Sequence, residues 1–168
     1  MSAQVRYIIS LLLVIMVGSL VWYLPGRNVP YAVKPDPEMS PYEVVRTQME
    51  ALSHNDFPDP DFGIEVIYNF LAPDHDLQAA ILEDVVTLWH NPVYSDMLNL
   101  ISYTVEEHYV REDEAVFFVF LESKDEEKYM YIFELSRQEG GPMEGVWLTR
   151  DVRLYDKVAK PGPVEIQI

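Results

Sequence analysis

The sequence predicts an α+β protein, with three N-terminal helices packed on a curved antiparallel sheet of at least four strands and one transmembrane helix ahead of them. Three observations carry this. Residues 7–24 form an uncharged apolar run, apolar residues recur at helical spacing between 40 and 91, and after Leu100 the period changes from 3.6 to 2. A chain of 168 residues holds one domain with a sizeable core plus a short appendage.

The appendage comes first. YIISLLLVIMVGSLVWYL carries no charge over 18 residues, about the minimum for a helix crossing a hydrocarbon core of roughly 30 Å. Tyr7 at one end and Trp22 with Tyr23 at the other fit interfacial aromatic belts. A cleaved signal peptide competes, with Arg6 as its charged region and Val17 and Ser19 as small residues at a cleavage site. The apolar run continues through Leu20, Val21 and Trp22 with no A-x-A pattern after it, so a retained single-pass anchor is the preferred reading. Arg6 on one side nearly balances Arg27 and Lys34 on the other. The soluble bulk behind a short stub is expected outside the cytoplasm, as a secreted form if the segment is cleaved.

Residues 25–39, PGRNVPYAVKPDPEM, hold four prolines and no regular period, and read as an extended tether. The domain, residues 40–155, then begins sharply. In S-P-Y-E, Ser40 is placed to cap, Pro41 to take the first helical position and Glu43 to reach back as a capping box. This helix is predicted to about Asn55, with Tyr42, Val45, Met49 and Leu52 as its stripe. FPDPDF breaks the chain at 57–62. Ile64, Ile67, Tyr68 and Leu71 mark a second helix that Pro73 ends, and Leu77, Ile81, Val85 and Leu88 mark a third from Asp76 to Asn91.

Four strands follow, at 102–111, 115–122, 128–137 and 145–155, rich in aromatic and β-branched residues and joined by short polar connections. AVFFVFL is apolar on both faces, so its strand is expected to be central, with helices on one side and a partner on the other. Residues 156–168 read as a loosely attached tail.

Charge narrows the partners. Beyond Pro25 lie eleven basic and 28 acidic residues, a net −17. Phosphate binding needs a basic face, so nucleic acid is not an expected partner. Absence of cysteine excludes disulfides, zinc-thiolate sites and thiol catalysis.

Several stretches resemble one branch of the nuclear transport factor 2-like superfamily, whose fold is a cone-shaped α+β barrel. They are SPYEVVRTQMEALSHND at 40–56, the proline-rich break leading to Gly63, Tyr68 with Phe70 and Ala72-Pro73, NPVYSDML at 91–98 and VWLTRDV at 146–152. The resemblance covers about residues 40–155 and implies a fold, since that branch has no agreed activity and the superfamily spans isomerases, dehydratases, transport adaptors and membrane-bound assembly domains. Where relatives carry Ser-Pro followed shortly by Asn, this chain has Ala72-Pro73 and then Asp74, His75 and Asp76.

That acidic triplet is the most conspicuous candidate for chemistry. Adjacent residues point apart, and no H-x-x-x-H or E-x-x-H pattern supplies further ligands, so no metal and no cofactor is expected. Asp76 is read as the N-cap of the third helix and Asp74 as a partner of its dipole. Tyr129, Tyr131, Phe133 and Leu135 share one strand face. If that face lines a cone, its phenols could polarise a carbonyl while a carboxylate or His90 moves a proton. Arg150 falls by simple alternation among Val146, Leu148, Val152 and Leu154, and needs an acidic partner such as Glu134 or Glu107, or else a bulge near Thr149 that turns it outward. His54 suits a helix C-terminus and His108 an exposed strand.

The pocket candidates are therefore Tyr68, His90, Tyr94 and Tyr131, with Phe133, Trp147 and Arg150. Without a convergent catalytic set, the expected function is a membrane-anchored, non-catalytic domain. It would bind a protein partner, a second copy through the sheet, or a small apolar ligand. An acid-base isomerase or dehydratase-like enzyme and an assembly component of a membrane complex stay open.

Overall fold

A computed structural model of the chain describes residues 33–158. The predicted anchor at 7–24, most of the tether and the end of the tail lie outside the described residues. Among those described, no helix is long and apolar enough to cross a membrane.

Three helices precede a four-stranded antiparallel sheet. They are α1 (Pro41–Ser53), α2 (Phe62–Asn69) and α3 (Leu82–Trp89), and a short 3-10 turn at Ser95–Met97 leads into the strands β1 (Ser102–Val110), β2 (Glu114–Glu122), β3 (Lys128–Arg137) and β4 (Trp147–Val158). The strands pair in chain order. Short hairpin connections make this meander the simplest pairing available.

Helix α1 starts as its sequence dictates. Ser40 Oγ accepts from the Glu43 amide at 3.3 Å, and a Glu43 carboxylate oxygen accepts from the Ser40 amide at 2.8 Å. The Ser40 amide, and the Ser40 hydroxyl donating to the same oxygen at 2.8 Å, favour the charged carboxylate and hold its pKa below the usual value. Val45, Met49 and Leu52 are buried, whereas Tyr42 from the same predicted stripe stays 44% exposed and only leans its ring towards Phe117. The helix ends at Ser53, two residues before the expected boundary, with His54 as its C-cap.

Helix α2 packs on α1 without a spacer. A β-carbon on Gly63 would sit 2.7 Å from the Ala51 carbonyl oxygen, so only glycine permits this approach. Asn55, 1% exposed, fixes the junction by accepting from the Ile64 amide and donating to Asp61.

The third helix departs from expectation. Residues 73–80 form turns, and α3 begins only at Leu82 behind an extended Ile81 that offers no side-chain cap. Asp76 is therefore no N-cap. His75 organises the segment instead, its Nδ1 accepting from the Leu77 amide at 2.9 Å. Ile81 is 61% exposed rather than part of a buried stripe, and Val85 with Trp89 carries the burial. Glu83 and Asp84 in the first turn supply the negative charge that a helix N-terminus favours.

The sheet has two unlike faces. Register places Ala115, Phe117, Val119 and Leu121 of β2 beside Leu135, Phe133, Tyr131 and Tyr129 of β3. All eight are buried. Hydrogen bonds from Thr149 to Gln48 of α1 and from Tyr131 to the Val93 carbonyl show that this face receives the helical side of the molecule. The other face presents Phe118, Phe120 and Met130, each partly exposed, around Val116 and Ile132.

Bulges break the alternation on both outer strands. His108 is the extra residue in β1, and Arg150 and Tyr155 are the extra residues in β4. Each bends its strand locally. Strand β4 also runs past the predicted boundary, so that Asp156 and Lys157 pair with Met130 and Tyr129 rather than starting a loose tail. Its far edge is closed at one point by a parallel bridge between Leu71 and Thr149.

Candidate functional site

The predicted pocket residues are not gathered at one site. Tyr68 donates to the Ala80 carbonyl at 3.1 Å and ties α2 to the turn ahead of α3. Tyr131 is fully buried and donates to the Val93 carbonyl at 2.7 Å. Burial pushes its phenol well above the ordinary value, as expected for a hydroxyl with no stable anionic form there. Phe133 and Trp147 are buried core residues. On the strand face that carries them, Tyr129, Tyr131, Phe133 and Leu135 are all buried.

His90 faces away from that interior. Its Nε2 lies 2.8 Å from an Asp61 carboxylate oxygen, and the ring is about half exposed. Asp61 has φ 63, a left-handed conformation that aspartate tolerates better than most residues. Around this pair Asn55 donates to Asp56 and Asp61, and Asn99 donates to Asp56 at 2.7 Å, which lowers the Asp56 pKa. The result is a polar clasp joining the α1–α2 junction to the end of α3 and to the entry of β1.

Arg150 resolves as a bulge residue. The register steps from Glu134↔Asp151 to Leu135↔Thr149, leaving Arg150 unpaired and turned to solvent. One extra residue lets both Thr149 and Val152 face the helices, which strict alternation forbids. Arg150 Nη2 reaches Glu134 at 3.2 Å, and Arg153 bonds both Glu134 and Asp151. Burial alone would raise the Glu134 pKa, but hydrogen bonds from Arg153 and Arg150 outweigh it and the net shift is downward.

One predicted residue does line a recess. Tyr94 borders a cleft of about 190 Å³ with Leu71, Leu77, Leu88, Trp89 and Val152 as apolar wall and His75, Asp76 and Asp151 as polar groups. Its ring stacks on Trp89 with centroids 5.1 Å apart, and its hydroxyl donates to the Val152 carbonyl at 3.2 Å. Desolvation lowers the pKa of half-buried His75 from its ordinary value, opposed by the negative charges of Asp151, Asp76 and Asp74. The imidazole is neutral near pH 7, its Nδ1 already committed to the Leu77 amide. The position of His75 opposite Asp151, 76 residues away in the chain, had no local signal.

A larger cleft, about 660 Å³, opens where the β1–β2 turn meets the β3–β4 connection. Four carboxylates line it, Glu112, Asp113, Glu139 and Glu144, with Arg137 held to the Gly145 carbonyl at 3.2 Å. Among the described residues no group of three His, Asp or Glu side chains is arranged to hold a metal ion.

The outer face of the sheet is a further feature of functional scale. Its apolar stripe is edged on β1 by His108, which stacks on Phe118 with ring centroids 4.6 Å apart, and by Tyr109 under the Arg111 guanidinium. On β4 it is edged by the Glu134, Arg150 and Arg153 network. Compared with known proteins, the chain matches no family model, no curated protein and no solved structure.

Proposed function

We propose that the chain is a membrane-tethered, non-catalytic domain of nuclear transport factor 2-like type that captures a protein partner on the outer face of its sheet. The single observation that carries the reading is the stripe of Phe118, Phe120 and Met130. These residues stay partly exposed on central strands while every large residue that β2 and β3 place on the opposite face is buried. Apolar surface of this kind, ringed by charge, marks interaction sites on otherwise polar proteins. Three helices ahead of an antiparallel meander support the fold resemblance, and the uncharged stretch at 7–24 supports the tether and an extracytoplasmic position for the domain.

A net −17 on the soluble part favours a partner with a basic rim over a second copy of the same chain. The experiment is proximity labelling of the full chain in its native membrane, run beside a Phe118→Asp, Phe120→Asp double variant of normal circular dichroism. Loss of the labelled partner in the variant is the expected result. Unchanged labelling would place the contact elsewhere, and cross-linking of the chain to itself would make the partner a second copy.

A further inference from the structure

We propose that the cleft between the 71–77 turn, α3 and β4 is a binding site for a small organic cation, an ammonium on a short apolar body. The site differs from the sheet face and does not rest on that reading. Its wall is apolar and aromatic, with Leu71, Leu77 and Leu88 around the Trp89 and Tyr94 rings. A cation over such rings is attracted by their quadrupoles.

The polar groups agree in sign. Tyr94 spends its proton on the Val152 carbonyl, so its oxygen is left as an acceptor. His75 is held neutral by burial and contributes no competing charge near pH 7. Arg150 and Arg153 are taken up by Glu134 and Asp151. Asp74 and Asp76 have no basic partner among the described residues, and Asp76 lines the cleft with Asp151. The rim is therefore negative, and the surrounding domain adds to its pull on cations. An anionic ligand would meet two carboxylates, Asp76 and Asp151, and no free cation.

Size sets the class further. A volume of 190 Å³ corresponds to about six water molecules in the liquid. That suits a ligand of fewer than a dozen non-hydrogen atoms and excludes a peptide or a lipid chain.

The probe is benzylammonium, with benzyl alcohol and benzoate as neutral and anionic counterparts, titrated into the full chain in detergent micelles at pH 7.5. NMR signals of the Trp89 indole and the His75 ring provide a readout local to the cleft. Benzylammonium is expected to give saturable shifts at both. Benzyl alcohol should bind about tenfold more weakly and benzoate should give none, as loss of one charge-assisted contact implies. Asp76→Asn should weaken benzylammonium several-fold and leave the benzyl alcohol response unchanged, and Asp151→Asn, whose carboxylate is already paired with Arg153, should weaken it less. Acidification until His75 takes up a proton should weaken it as well, because the imidazolium repels the cation and releases the Leu77 amide. Equal binding of the amine and the alcohol, or indifference to both aspartate variants, would overturn the proposal.

Discussion

The two faces of the sheet are built from the same residue types on the same strands, yet they have opposite fates. On the helix side Tyr129, Tyr131 and Phe133 are buried, and the deepest hydroxyl is tied to a backbone carbonyl. On the other side Phe118, Phe120 and Met130 are left partly open between charged edges. Aromatic content does not separate them. The difference lies in what stands opposite. A phenol whose proton is already spent on Val93 cannot serve as a general acid, whereas a partly exposed phenylalanine still has apolar area to give to a partner.

The sharpest way to break this contrast is to truncate one ring on each face. Phe133→Ala should cost about 3–5 kcal/mol, since it removes transfer energy and leaves a cavity. Phe118→Ala should cost about 1 kcal/mol, because its ring is already partly exposed to water. Urea denaturation of the two variants measures the gap. Equal losses would mean that both faces are core and that no docking surface exists.

Next in size is the buried pair that joins α1 to β4. Gln48 and Thr149 are both fully buried, with Gln48 Nε2 2.8 Å from Thr149 Oγ1. Gln48→Leu or Thr149→Val alone leaves a buried polar group unsatisfied and should cost about 1–3 kcal/mol. The double variant should recover most of that loss. A double-mutant cycle in thermal denaturation tests the coupling, and strict additivity would show that water satisfies the lone partner.

How much of this was legible in the sequence depended on whether the determinant was local. Ser40, Pro41 and Glu43 sit within four residues, so α1 could be read and its cap is as expected. The alternation of Tyr129, Tyr131 and Phe133 likewise gave the strand and its buried face. The start of α3 failed because Asp76 looked like a cap. The decisive bond, from the Leu77 amide to the His75 ring, needs a turn geometry that residue types alone do not specify. Arg150 was half legible. An arginine breaking an apolar alternation implied either burial or a bulge, and only the register against β3 chooses the bulge. The clasp of Asn55, Asp56, Asp61, His90 and Asn99 was invisible, since it joins residues up to 44 positions apart through side chains common in loops.

A smaller effect tests the inner face for latent chemistry. Tyr131→Phe removes one hydrogen bond to Val93 and should cost about 0.5–1.5 kcal/mol with no change of fold. Tyr103, whose phenol burial and the nearby Glu50 carboxylate push up to about 12, offers a comparison at the edge of the same face. Ultraviolet titration should show both phenols protonated through pH 10. An early-titrating Tyr131 would reopen the acid-base reading of the interior.

The smallest effect belongs to the outer edge, and its sign can be worked out. Hydrogen bonds from Arg153 and Arg150 set the folded pKa of Glu134 below the ordinary carboxylate value of 4.5. The unfolded chain then binds that proton more readily than the folded one, so the contribution is complete above pH 4.5 and fades as pH falls through the folded value. His75, lowered from 6.5 mainly by burial, works in the same direction in a higher window: protonation favours the unfolded chain once pH drops below 6.5. Melting temperature should therefore decline in two stages on acidification. Glu134→Gln should lower it at pH 7 and flatten only the lower stage, and His75→Asn should flatten only the upper one. If both stages persist in both variants, acid sensitivity is spread over the many other carboxylates, and the edge network orders the surface without contributing to its stability.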